Sequence, residues 1–437
     1  MKNFNQLFGV RARLVTLGLA AGVVALPALA QAASVEVGGQ VRYRGEADIR
    51  DFNPDTGTDV VNSQRARLSV KVDNEQYHGF VQVQDARVWG EETDTLSDAS
   101  ADSLDMHQAF LKVDDVLDTG VGVQVGRQEI NFADERLVGA VDWTQNARSL
   151  DGIVLSRAFG DQGVVIPFYL QLNEQDDVSA VHGATVNTDE GLDGDTWAAG
   201  FHSAWTVAKG HSFQPHVYYV RSGDGDNLNL YTLGFYYTGT MNPVSYDFTA
   251  DYQTGESGDT DISAFLVSGH AFFTSGDLKV GAGVDYLSGD DDTTDTDNEA
   301  FNTLLATNHK FYGYMDYFTA FGSTADSVSG LGLIDWQLKG AYTVDPATTA
   351  GVDLHYFQTA ESDDTRLGGD DTLGTEVDFT VNHKAGPVTL QIGYSAFLMD
   401  DAMEAKLFPV NADSNGTNDV STDDVGHWAY VMATLNF

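Results

Sequence analysis

The stretch SVEVGGQVRYRGEADIR at residues 34–50 alternates between apolar and polar residues almost without interruption. One face would carry Val35, Val37, Val41, Tyr43, Ala47 and Ile49, and the other would carry Glu36, Gln40, Arg42, Arg44, Glu46, Asp48 and Arg50. Period-two alternation predicts a β-strand with one apolar and one polar face. The run is longer than an ordinary strand of a soluble sandwich requires.

Seventeen further segments continue this alternation along the chain. With the first they lie near 35–50, 61–73, 77–89, 104–114, 119–128, 150–159, 163–172, 195–207, 211–220, 229–238, 244–253, 261–273, 277–287, 333–344, 347–358, 373–383, 387–398 and 426–437. Two are irregular, since 77–89 requires a bulge near Asp85 and 229–238 carries aromatic residues on both faces. The pattern predicts an all-β protein of about eighteen strands.

The connections between the segments alternate in length. Those after even-numbered segments are short, as at Asp161-Gln162 and Lys209-Gly210, whereas most of those after odd-numbered segments are long and acidic. This alternation is typical of a transmembrane antiparallel β-barrel with short periplasmic turns and long extracellular loops. Such a sheet must close, because lipid offers no partner for a free edge. The terminal Phe437, with alternating apolar residues before it, resembles the C-terminal ending of bacterial outer-membrane barrels.

The first 32 residues indicate export. A basic front containing Lys2, Arg11 and Arg13 precedes the apolar run Leu14 to Leu26 and two small-residue cleavage motifs, which is typical of a secretory signal peptide. We therefore predict a cleaved signal peptide at 1–32 and one barrel domain at 33–437 in the bacterial outer membrane. Outer-membrane lipid and lipopolysaccharide would surround that barrel.

Composition excludes several function classes. The formal charge is −42, and removing the three bases of the signal segment leaves −45, so nucleic acid is not an expected partner. There is no cysteine, and the eleven histidines show no metal-ligand spacing. No nucleophile motif occurs, so we predict neither an enzyme nor a cofactor. Acidic loops could bind divalent cations, but none matches the spacing of a calcium loop, and adaptation of a solvated surface to salt is the preferred explanation.

An eighteen-stranded barrel is too wide for its wall side chains to fill. The connections 129–149 and 288–332 are the best candidates to fold inward, because both mix aromatic and apolar residues with charges. By parity, Arg42, Arg44, Arg65 and Arg67 face the lumen from adjacent strands, where a row of guanidiniums suits carboxylates. The alternative is that they pair with lumen acids such as Glu36, Glu46, Asp48 and Asp85. Later strands face inward with acids, including Asp247, Asp251, Asp285, Asp335, Asp353, Glu376 and Asp378.

The region from Gly126 to Gly152 resembles the alginate-export family of outer-membrane barrels. The matching motifs are Gly126-Arg127-Gln128-Glu129, Asp134-Glu135-Arg136-Leu137-Val138-Gly139, Asp142-Trp143 and Arg148-Ser149-Leu150-Asp151-Gly152. Two shorter stretches, at 84–90 and 309–316, also resemble the family. The sequence departs from the family pattern at Leu150, usually Phe, and at Ala133, often Gly.

The resemblance implies an eighteen-stranded barrel that passes an anionic polysaccharide through an arginine-lined pore. It also implies that Arg127, Arg136 and Arg148, with Asp85, Arg87 and Asp134, form the constriction and its ion pairs. Glu129 and Trp143 of the same motifs, together with the four wall arginines, complete the predicted pathway.

We therefore expect a passive, substrate-selective channel for an anionic saccharide or small organic anion, with periplasmic export proteins as possible partners. A general or cation-preferring porin is the alternative within transport. A plugged structural or adhesive barrel is the alternative from another class.

Overall fold

The computed structural model describes residues 34–53, 56–91, 104–174, 195–223, 227–292, 295–319, 328–362, 369–403 and 424–437. The predicted signal peptide at 1–32 lies outside these residues. Parts of the acid-rich loops also lie outside them, so the suggestion that these loops bind divalent cations stays a prediction.

Within these residues, nineteen β-strands form one sheet, and eighteen of them build the wall. The strands are β1 Ser34–Ile49, β2 Asp59–Asn74, β3 Tyr77–Val88, β4 Leu104–Val113, β5 Gly122–Gln128, β6 Leu150–Ala158, β7 Gly163–Asn173, β8 Thr196–Ala208, β9 His211–Ser222, β10 Asn229–Met241, β11 Val244–Ser257, β12 Thr260–Ser275, β13 Leu278–Leu287, β14 Asp297–Asn298, β15 Leu333–Asp345, β16 Thr348–Gln358, β17 Thr372–Ala385, β18 Val388–Met399 and β19 Val425–Asn436. The two-residue β14 is a parallel addition to β12 within a loop.

The sheet closes into a barrel because its first and last strands pair. β1 and β19 run antiparallel, with a register from Gln40↔Asn436 to Ile49↔His427. Every other wall strand pairs with its neighbours in the chain, which confirms the closed eighteen-stranded antiparallel barrel. Closure satisfies the backbone groups that lipid cannot.

Connections alternate in length around the barrel, with one exception. β11 and β12 extend beyond the predicted segments and meet in a tight turn at Gly258-Asp259, on the side of the long loops.

The predicted bulge near Asp85 is displaced. The register shift lies between Gln82 and Val83, opposite β4, where His107 is the extra residue.

The two faces of the wall have opposite chemistry. Outward-facing apolar residues of β1 are exposed, as at Val37 (61%), whereas the inward-facing Arg42 and Arg65 are 4% and 0% exposed. Apolar residues therefore face lipid and polar residues face the lumen, as the alternation predicts. Among the described residues, no helix has the length and apolar character needed to cross a bilayer.

Candidate functional site: the constricted lumen

Two loops fold into the lumen. Loop A (129–149) connects β5 to β6, and loop B (288–332), described at 288–292, 295–319 and 328–332, connects β13 to β15. Both contact the polar face of the wall. Gln145 of loop A bonds Ser63, and Asn302 of loop B bonds Gln253. The expectation that these two connections narrow the barrel is confirmed by these contacts.

The two loops are joined backbone to backbone. Val138 and Leu305 form a parallel bridge, and the Gly139 amide donates to the Leu305 carbonyl at 2.9 Å. A Cβ atom at Gly139 would collide with the Thr307 hydroxyl, so only glycine permits this approach. Arg148 Nη1 also donates to the carbonyls of Gly139, Leu305 and Ala306. Loops A and B therefore form one unit.

Loop A is fastened to β1 and β2 through its backbone carbonyls. Arg42 and Arg65 lie opposite each other in the register of the two strands. Arg42 donates to the carbonyls of Asp142 at 2.7 Å and Thr144 at 2.5 Å. Arg65 donates to the Thr144 carbonyl at 3.3 Å and pairs with the Asp142 carboxylate at 2.9 Å. These donors are thus already engaged by the loop.

Arg67 is balanced by acids of loop A. Its Nη1 lies 3.2 Å from Glu129 and 3.3 Å from Asp142. Its Nη2 lies 2.9 Å from His107 Nε2, which also contacts Glu129 at 2.7 Å. By contrast, no carboxylate of the described residues lies within 4.0 Å of Arg42. Arg42 therefore forms no ion pair with a described acid, and its hydrogen bonds go to Gln145 and to carbonyls of loop A.

Trp143 is the centre of a stack that joins the wall to both loops. The guanidinium carbon of Arg44 lies 4.7 Å from its ring centroid, and the ring of His309 stacks at 4.3 Å. His309 stacks in turn on Tyr314 at 5.3 Å. Arg44 also donates to the Trp143 carbonyl at 3.0 Å and pairs with Glu46 at 2.9 Å. Trp143 therefore fixes the position of loop A.

Arg136 fastens the loop unit to the opposite wall. Its side chain is 2% exposed, with Nε 3.0 Å from Asp134 and Nη1 3.0 Å from Asp285 of β13. The guanidinium lies 4.0 Å from the centroid of Phe311 in loop B. Burial opposes the charged form, but the carboxylate of Asp285 and the neighbouring groups raise the pKa of Arg136 above its ordinary value.

Three inward-facing acids of β11 and β15 are paired with histidines that the sequence argument treated as scattered. The contacts are His216–Asp251 at 2.6 Å, His270–Asp247 at 2.7 Å and His355–Asp335 at 2.8 Å. Asp247 and His270 are direct register partners, a signal that pairing the predicted strands would have revealed. In the described part of the chain, no cluster of three acids or histidines is arranged to hold a metal.

Loop B also contacts this acidic wall. Glu376 of β17 is fully buried and accepts the Met315 amide at 2.8 Å. Gly313 has a φ of 82°, and a Cβ there would lie 2.5 Å from the Glu376 carboxylate. Glycine is therefore needed where the loop turns against the wall.

Among the cavities beside the loop unit, two lie at opposite ends of it. The aromatic cavity, about 360 Å³, lies toward the short turns. It is lined by Arg42, Glu135, Asp142, Trp143, Thr307, His309, Lys310, Tyr314, Gln391, Tyr430 and Met432. The rim cavity, about 450 Å³, lies toward the long loops. It is lined by Gln84, Ala86, Asp105, His107, Arg127, Asn146, Ala147, Arg148 and Ser149. The segment 142–149 of loop A separates the two.

A sequence model for a family described as alginate export matches residues 33–323, about two thirds of the chain. The chain belongs to the alginate export family. Its matched region runs from β1 into loop B and so includes both the arginine row and loop A. No curated protein matches the sequence significantly.

Solved structures place this alginate export family member among porins by fold. OccAB4 of Acinetobacter baumannii aligns with a TM-score of 0.58 at 14% identity, over 93% of this chain and 99% of that one. A BenF-like porin of Pseudomonas fluorescens Pf-5 gives 0.59 at 11% identity, over 92% and 98%. The protein is thus a porin-like channel barrel of the bacterial outer membrane, of a kind that is typically non-enzymatic.

The residues suggested by the family resemblance are divided by the structure. Arg136, Asp134 and Arg148 lie in or beside the joined loops. Asp85 and Arg87 pair with each other on the outward-facing parity of β3, opposite Ala66 and Gln64.

Arg127 also faces outward, opposite Ala109, and pairs with Asp151 at 2.7 Å. Asp85, Arg87 and Arg127 therefore do not face the lumen with the wall arginines of β1 and β2, because alternate residues of a strand point to opposite faces.

Proposed function

We propose that this alginate export family barrel is a passive, substrate-selective channel for an anionic saccharide or another small organic anion. The observation that carries the proposal is the aromatic cavity. It brings Arg42, which has no ion pair with a described acid, into one space with Lys310, which lies 3.1 Å from Glu135. Fixed positive charges in a pore favour anions.

The remaining lining of the aromatic cavity suits a hydroxylated ligand. The hydroxyls of Tyr314 and Tyr430 donate to none of the described residues, and both rings line the cavity with the Gln391 amide. Glu135 and Asp142 supply acceptors. A volume of about 360 Å³ falls within the range of small-molecule sites.

The wall arginines have two roles in this proposal: they position loop A and they carry positive charge. Arg44, Arg65 and Arg67 hold loop A in place, and Glu129 and Trp143 complete that support. Arg136 and Asp134 hold it from the opposite side, and Arg148 joins it to loop B. The pathway would therefore depend on them through the shape of the constriction as well as through charge.

A cation-preferring porin is the second candidate, because buried carboxylates dominate the wall from β11 to β17. Their contacts with histidines and Arg136 reduce that field. A periplasmic export partner on the short-turn side stays a prediction.

The test is the reversal potential of the purified barrel in a planar bilayer under a potassium chloride gradient, with and without an oligouronate. We expect anion preference and block by the oligouronate, and we expect Lys310→Gln to weaken both. The Lys310 side chain is 48% exposed, so the change should leave the barrel folded. Lys209→Gln, in the short β8–β9 turn, is the matched control.

Cation preference without block would overturn the anion proposal in favour of the second candidate. Absence of conductance in the unmodified barrel would indicate a plugged, structural protein.

A further inference from the structure

The register of the wall places Arg127 at the boundary of the membrane. On the outward face, the row of cross-strand partners reads Arg127, Asp151, Gln171, Trp197 and Arg221 across β5 to β9. The next outward-facing row toward the short turns reads Val125, Ile153, Tyr169, Ala199 and Tyr219. Aromatic residues mark the interface of a membrane barrel, and charges cost little only near it. Arg127 therefore lies at the level of the lipid headgroups on the long-loop side.

Among the described residues, the wall has a notch directly above this row. β5 ends at Gln128 and β6 begins at Leu150, where the chain leaves the wall as loop A. The pairing of β4 with β5 stops at Ala109↔Arg127, so residues 104–108 of β4 have no β5 partner. At a spacing of about 4.8 Å per strand, the gap between β4 and β7 is roughly 14 Å wide.

The rim cavity occupies this notch and crosses the line of the wall. Arg127 faces outward, whereas Gln84 and His107 contact Arg67 in the lumen. Ser149 and the loop segment before it form the inner end of the cavity. One cavity therefore connects the headgroup level outside with polar groups inside.

Hydrogen-bond donors remain available in the rim cavity. Arg127 uses Nη1 for Asp151, and its Nη2 donates to none of the described residues. The hydrogen bonds of Arg148 to described residues all use Nη1, and none of its acceptors is a carboxylate. Two guanidiniums with unused N–H groups suit an anion that accepts several hydrogen bonds, and phosphate is the anion of lipid headgroups.

We propose that the rim cavity binds a phosphate group of a lipopolysaccharide molecule in the outer leaflet. The position of Arg127 beside the aromatic row selects the lipid as the occupant, and the cavity volume of about 450 Å³ accommodates a phosphorylated sugar. This site does not depend on the proposed transport of anions through the lumen.

The experiment is native mass spectrometry of the intact barrel in detergent, titrated with a phosphorylated rough lipopolysaccharide. We expect one tightly bound molecule per barrel and a roughly tenfold loss of affinity in Arg127→Gln, from the loss of charged hydrogen bonds. Asp151→Asn should strengthen binding, because it removes the acid that competes for Arg127. Arg157→Gln, an outward-facing arginine at the opposite end of β6, should bind like the unmodified barrel.

Three further results would overturn the proposal. The first is equal binding of the same lipopolysaccharide after enzymatic removal of its phosphates, which would leave only acyl-chain contacts. The second is equal affinity in Arg127→Gln and Arg157→Gln. The third is saturation by inorganic phosphate alone with no bound lipopolysaccharide, which would assign the cavity to a free anion. The Arg127→Gln/Asp151→Asn double variant removes the ion pair as a whole, so weak binding there cannot be attributed to an unpaired Asp151.

Discussion

The basic wall at β1 and β2 and the acidic wall at β11 to β17 use charge in different ways. Arginines of the basic wall bind loop A in two ways. Arg42 donates to the carbonyls of Asp142 and Thr144, whereas Arg65 and Arg67 also pair with the carboxylates of Asp142 and Glu129. Acids of the acidic wall bind histidines, Arg136 and, at Glu376, a loop B amide. A carbonyl does not cancel a positive charge, whereas a carboxylate cancels much of it. Arg42 therefore differs from Asp285, its counterpart on the acidic wall, because Asp285 has an ion-pair partner in Arg136 and Arg42 has none among the described residues.

The largest effect on stability is expected from replacing Arg136, the residue that joins the acidic wall to the loops. We expect Arg136→Met to cost roughly 3–5 kcal/mol, because it leaves Asp285 buried without its cation. Unfolding curves of both proteins, monitored by the loss of heat-resistant migration in gel electrophoresis, would measure this difference in stability. Adding Asp285→Asn should restore much of the stability. If the single variant unfolds like the unmodified barrel, Arg136 is not the anchor.

A smaller effect is expected at the basic wall. Arg42→Ala removes charged hydrogen bonds to the tip of loop A, a net loss of about 1.5–3 kcal/mol that falls on the attachment of the loop and not on the strand pairing of the wall. Loop A would be less fixed while Arg136 still holds its other side, so single-channel current should become larger and noisier with little change in barrel stability. Gln391→Ala, at the same cavity, is the control. An unchanged current trace would show that these bonds do not hold the constriction.

The smallest expected effect is a pH dependence of stability contributed by Glu361, in the loop that follows β16. Burial, with repulsion from Asp291 and Glu299, raises the pKa of Glu361 above its ordinary value. The folded state then binds the proton more readily than the unfolded state, so stability falls as pH rises from the ordinary to the raised pKa. Glu361→Gln should abolish that part of the fall. Unfolding curves at pH 4 and pH 7 would reveal it, and parallel losses in both proteins would assign the dependence to other acids.

Features that depend on local sequence could be predicted, whereas contacts between residues distant in sequence could not. Strand positions, closure and the inward direction of Arg42 and Arg65 could be predicted, because period-two alternation is a local property of the chain. Outward placement of Arg127 could have been predicted by the same parity, since Val125 shares its face. The family resemblance instead assigned Arg127 to the constriction, whereas its side chain pairs with Asp151 on the outward face and lines the rim cavity.

The sequence alone determined the barrel, its two chemically distinct faces and the two connections that fold inward. Only the tertiary structure decided what the charges bind. Arg136 meets Asp285 across 149 residues, and Arg148 meets Leu305 across 157. Such partners come together because the wall closes and the loops fold into it, so their spacing along the chain does not predict the contact.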